Sequence, residues 1–118
     1  MSTALPPLNQ EKLEELLEIF GDADELSELF EEYFAELPER LQELRDALSV
    51  GDSSPVNQIA HTLKGSSGNL GASAVQEVAR GIEEQAKAGT LEQVGGLLDQ
   101  LDIELERLRQ ALERQSLL

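Results

Sequence analysis

Four glycines, Gly21, Gly51, Gly71 and Gly89, divide the chain into five stretches in which apolar residues recur every three or four positions. That spacing gathers apolar side chains on one face of a helix, and glycine is the residue that most readily ends one. An all-α fold is therefore expected. The composition agrees: the hydrophobic 40% is mostly Leu with Ala, Val and Ile, and only 3% of residues are aromatic, which suits helices better than strands. A length of 118 residues is the size of one domain with one core.

Residues 1–8 read as a flexible leader and residues 9–118 as a single helical domain. Asn9 is the expected N-cap of a short first helix, with Leu8 and Leu13 as its hydrophobic staple and Leu16, Leu17 and Phe20 in phase. Asp22 and Glu25 form a capping-box pair opening a long second helix, whose stripe runs Leu26, Leu29, Phe30, Tyr33, Phe34, Leu37, Leu41, Leu44 and Leu48. Pro38 interrupts the amide ladder, yet the apolar phase resumes beyond it, so one bent helix is expected. Ser54 as N-cap with Pro55 in the first helical position opens the third helix, which runs to about Leu70. Ser73 with Gln76 starts the fourth and Thr90 with Gln93 the fifth. In the fifth, Leu91, Val94, Leu98, Leu101, Leu105, Leu108 and Leu112 form a heptad seam.

Short links return each helix beside its predecessor, so the expected architecture is an antiparallel four-helix bundle with a short accessory N-terminal helix. A seam satisfied inside the bundle needs no second chain, and a monomer is expected. The charge of -15 repels phosphate backbones and anionic lipid, which argues against nucleic acid and membrane surfaces as partners. With no targeting segment and no apolar run of bilayer-spanning length, the expected location is the cytoplasm.

Although 24 of the 118 residues are Asp or Glu, none falls within residues 53–76, where Lys64 is the only charged side chain. The same stretch holds the chain's single histidine, His61. On a helical wheel Ile59, Leu63 and Leu70 fall about 160–200° from His61, so the ring faces solvent. Its neighbours on that face are Lys64, Gly65 and Gly68, at i+3, i+4 and i+7. Each interior glycine costs a helix roughly 0.8–1 kcal/mol relative to alanine, which makes sense where another molecule must approach the ring closely. A neutral imidazole offers a nucleophilic ring nitrogen, and an ammonium one turn away can bond the oxygens of a phosphoryl group.

The run AHTLKGSSGNLGA, residues 60–72, closely resembles the motif of histidine-containing phosphotransfer (HPt) domains of bacterial multistep phosphorelays. The resemblance extends over roughly residues 22–115, through the long proline-bearing helix, the helix after the motif and the leucine-rich last helix. It implies that His61 is the phospho-acceptor, that Lys64 stabilises the phosphoryl group, and that Gly65 and Gly68 give access. It further implies receiver domains of response regulators and a hybrid sensor histidine kinase as partners, with Mg²⁺ carried by the receiver alone and no cofactor on this chain. A stand-alone carrier module is expected. Some relatives carry glutamine near the phospho-imidazole where this chain has Glu83; that carboxylate either serves the site or is solvated surface. Arg80 either reaches the phosphoryl group or pairs with Glu83 or Glu84 at helical spacing.

No GxxxxGK[ST] phosphate loop is present, and Gly65, Gly68 and Gly71 do not match GxGxxG. Gln58 occupies the place where an ExxH metal pair would need a carboxylate, and one histidine cannot make an HExxH site. Ser66 and Ser67 turn away from His61 on the wheel, which disfavours a hydrolase. The expected activity is stoichiometric phosphoryl carriage rather than enzymatic turnover, the alternative being an unphosphorylated interaction module that uses the same face.

Overall fold

The computed structural model describes residues 5–118. Residues 1–4 of the expected leader lie outside the described residues; Leu8, at its end, is buried in the core. The described chain is all-helical: α1 (Gln10–Phe20), α2 (Ala23–Ser49), α3 (Ser53–Asn69), α4 (Ser73–Ala88), a 3₁₀ turn (Leu91–Gln93) and α5 (Val94–Arg114).

Successive helices pack against one another, α1 on α2, α2 on α3, α3 on α4 and α4 on α5. Arg45 of α2 and Asp102 of α5 pair at 3.0 Å, and the Arg109 guanidinium of α5 stacks 4.5 Å over the Phe34 ring of α2. The core follows the seams read from the periodicity: Leu26, Phe30, Leu37, Leu41 and Leu44 of α2 share one buried cluster with Val94, Leu98, Leu101, Leu105, Leu108 and Leu112 of α5. Each such leucine stabilises the fold by about 1.5–3 kcal/mol relative to exposure. Pro38 lies within α2 without dividing it.

Asn9 caps α1 as expected, its side chain accepting from the Lys12 amide at 3.0 Å. Asp22 caps α2 through the Asp24 amide at 2.8 Å. Three other starts differ from expectation. Asp52, not Ser54, caps α3, accepting from the Ser54 amide at 3.3 Å, so Pro55 sits third in the helix rather than first. Proline is still tolerated there because first-turn amides have no intrahelical acceptor. Ser73 is already helical and Ala72 precedes it with no side-chain cap. The Thr90 hydroxyl turns back to the Gln85 carbonyl at 3.3 Å instead of capping, and a 3₁₀ turn intervenes before α5.

Two contacts tie α3 to its surroundings. The Tyr33 hydroxyl of α2 lies 2.7 Å from Ser67 Oγ, both side chains buried. The Asn9 amide donates to the Gly71 carbonyl at 2.8 Å, fastening the start of α1 to the turn between α3 and α4.

Candidate functional site

Helix α3 buries Val56, Ala60, Leu63 and Ser67, and this fixes what faces outward. His61 follows buried Ala60 and leaves the bundle, with 67% of its side chain exposed. Lys64, one turn on, is 26% exposed, and a Cβ added at Gly65 would meet nothing within 4 Å. Sequence arithmetic and structure thus agree on an open imidazole with a lysine and a bare glycine beside it.

Gly68 differs. A Cβ there would collide with the Gln76 side-chain amide, so the Gln76 side chain from α4 lies across this glycine. The face is thus uncovered at Gly65, whereas at Gly68 a neighbour's amide occupies the place a side chain would take. Ser66 bonds the Leu63 carbonyl and Ser67 bonds Tyr33, so neither hydroxyl is engaged with the ring.

The α4 residue that completes the site is Glu83, only 3% exposed. His61 Nδ1 and Lys64 Nζ each lie 2.6 Å from one of its oxygens, Oε2 and Oε1 respectively, and Lys87 Nζ lies 3.7 Å from Oε2. Reading Glu83 as solvated surface is therefore wrong. The Lys64 hydrogen bond holds its carboxyl down at about 2, against the opposing effect of burial and with further help from His61 and Lys87. An ionised carboxylate only accepts, so the ring donates from Nδ1, and in the neutral ring this tautomer leaves the lone pair on Nε2. Arg80 pairs with Glu77 at 3.4 Å rather than with Glu83 or Glu84.

The chemistry available is that of a nucleophile held in one tautomer beside a cation. Among the described residues, no group of three or more His, Asp or Glu side chains is placed to hold a metal ion, and no helix is long and apolar enough to cross a membrane.

The Hpt domain family matches residues 28–111, a span that includes α3, α4 and every member of this site. The chain belongs to the Hpt domain family. Among solved structures, this Hpt domain is similar to the crystal structure of histidine-containing phosphotransfer protein B (HptB) from Pseudomonas aeruginosa PAO1. The identity is 30%, the TM-score 0.85, and the match covers 93% of this chain and 94% of that one. No curated protein sequence matches. Membership of the Hpt family carries the coarse functional class, histidine phosphotransfer in phosphorelays, whose members work with receiver domains and kinases.

Glu83 also has a signal in the sequence. It falls four residues after Ala79 and three before Ala86, both buried, so the period of α4 puts it on the inner face. Neither Lys87 nor the Tyr33–Ser67 pair was singled out by sequence reasoning.

Proposed function

We propose that this Hpt domain takes a phosphoryl group from a receiver-domain aspartyl phosphate onto His61 Nε2 and passes it to the aspartate of a second receiver. The observation that carries the reading is the exposed His61 ring with its Nδ1 2.6 Å from the buried Glu83 carboxylate. The Nε2 lone pair attacks phosphorus in line, the P–O bond to the aspartate breaks, and the aspartate leaves as its carboxylate. No proton need move, because Nδ1–H stays on the ring and its new positive charge faces Glu83. Lys64 is the phosphoryl-stabilising cation, Gly65 leaves room for the receiver, and Gly68 lets Gln76 lie flat on the helix. Mg²⁺ belongs to the receiver, and this chain brings no cofactor or nucleotide site.

The reading includes residues 9–118 acting as one monomeric domain, α2 to α5 forming an antiparallel four-helix bundle and α1 serving as an accessory helix. Successive packing and short links support it. Cytoplasmic action without nucleic acid or membrane surface fits the charge of -15.

Incubation with a ³²P-labelled receiver tests the reading. An acid-labile, base-stable adduct is expected on the wild type and absent from His61→Gln. Lys64→Ala should slow transfer roughly tenfold or more while leaving the helical spectrum unchanged. Binding of the receiver without transfer would instead identify an interaction module.

A further inference from the structure

Glu83 is shared among more donors than one carboxylate needs. Oε1 accepts from Lys64, while Oε2 accepts from His61 and has the Lys87 ammonium 3.7 Å away, too far for a hydrogen bond but within an ion pair. The charged groups facing Glu83 are His61 and Lys64 from α3 and Lys87 from its own helix; Arg80 is engaged by Glu77. The two lysines differ in freedom. Lys64 is 26% exposed and packed between its helix and α4, whereas Lys87 is 62% exposed, one turn beyond Glu83.

Resting on the phosphotransfer reading, this arrangement poses a problem of charge. A lysine drawn towards the phosphoryl oxygens shares or gives up its hold on Glu83, and a buried carboxylate that loses its chief counter-ion is costly. Protonating it would remove the acceptor that fixes the His61 tautomer.

We infer that Lys87 is a stand-in counter-ion: when Lys64 leaves Glu83 for the phosphoryl group, the Lys87 ammonium closes the last ångström onto Oε2. Its reach is set by the i to i+4 spacing on α4, and at 3.7 Å it already stands within ion-pair distance of Oε2. Glu83 stays ionised throughout, His61 keeps its proton on Nδ1, and Nε2 alone exchanges the group. Lys87 is thus a positioning residue acting through Glu83, and it makes no contact with the transferred phosphoryl.

The test follows the lysine side-chain ammonium signals by ¹⁵N NMR on the full chain, before and after treatment with phosphoramidate, which phosphorylates a ring nitrogen with loss of ammonia. In the wild type, phosphorylation should bring the Lys87 ammonium signal into the slowly exchanging, ion-paired range as the Lys64 signal moves. In Glu83→Gln the Lys87 signal should not respond. Lys87→Met should slow His61 phosphorylation by about two- to fivefold, the range expected for one partly solvated ion pair, and Lys87→Arg should restore it. A Lys87 signal unchanged on phosphorylation, or one that responds equally in Glu83→Gln, overturns the inference while leaving the carrier reading intact. Failure of the wild-type His61 to be phosphorylated by either phosphoramidate or a receiver overturns the carrier reading itself.

Discussion

Gly65 and Gly68 sit on the face of α3 that carries His61, yet the two positions use the missing side chain differently. At Gly65 a Cβ would enter open space, and at Gly68 it would displace the Gln76 amide. Gly65 therefore has no packing reason to be glycine within this chain, and in the proposed function it leaves room for a partner. Gly65→Ala should raise unfolding stability by ~0.8–1 kcal/mol in a denaturant melt, since alanine is the better helix former. Gly65→Leu, whose Cβ enters open space, should leave the helical spectrum unchanged but reduce transfer from a phosphorylated receiver by roughly tenfold or more through a clash at the docking face. Normal transfer by the leucine variant would discredit access as the reason for this glycine.

At the level of the helices, the ends of α2, α3, α4 and α5 are built alike with one exception. After α2, α3 and α4, glycines in the left-handed region, Gly51, Gly71 and Gly89, follow the last turn. In each case two amides reach back, as from Gly71 to the Gly68 carbonyl at 3.2 Å and from Ala72 to that of Ser67 at 2.8 Å. After α5 the same pattern appears, Ser116 to Glu113 at 3.0 Å and Leu117 to Leu112 at 2.8 Å, but the left-handed residue is Ser116 with φ 60°. Ser116→Gly should therefore stabilise the protein by roughly 0.5–1 kcal/mol in a thermal or denaturant melt. A loss of stability would mean that the serine side chain contributes something the backbone geometry does not reveal. The glycine stops, the apolar stripes and the outward face of His61 were all legible, because each rests on local periodicity or backbone freedom. Starts were harder: Asp52 and Ser54 are both good caps, and Pro55 fits anywhere in the first turn. The inner-face position of Glu83 follows from the period of α4, but which groups of α3 it meets, and what fills Gly68, depends on where α4 lies across α3, which no property of either helix alone decides.

Across the whole molecule, two buried titratable groups tie stability to pH from opposite ends. The Glu83 carboxyl is lowered from 4.5 to about 2, so its contribution is present above about 4.5 and is lost as pH falls towards 2. Burial raises the Tyr33 hydroxyl from 10 to about 12 despite its bond with Ser67, so the folded state favours the neutral phenol. That contribution is complete below 10 and is lost as pH rises towards 12. Melting temperature should hold a plateau between these limits and fall beyond each. Glu83→Gln should flatten the acid limb and Tyr33→Phe the alkaline one. A wild-type acid limb retained by Glu83→Gln would assign it to other carboxylates.

His61 and Lys64 stand on α3 and Glu83 and Lys87 on α4, with only residues 70–72 between the two helices. The reactive group, its proton holder and both ammonium ions are thus carried by a single helical hairpin. Substitutions on the outer faces of α2 and α5 therefore replace none of these four residues, and in the proposed carrier the transfer chemistry travels with the hairpin alone.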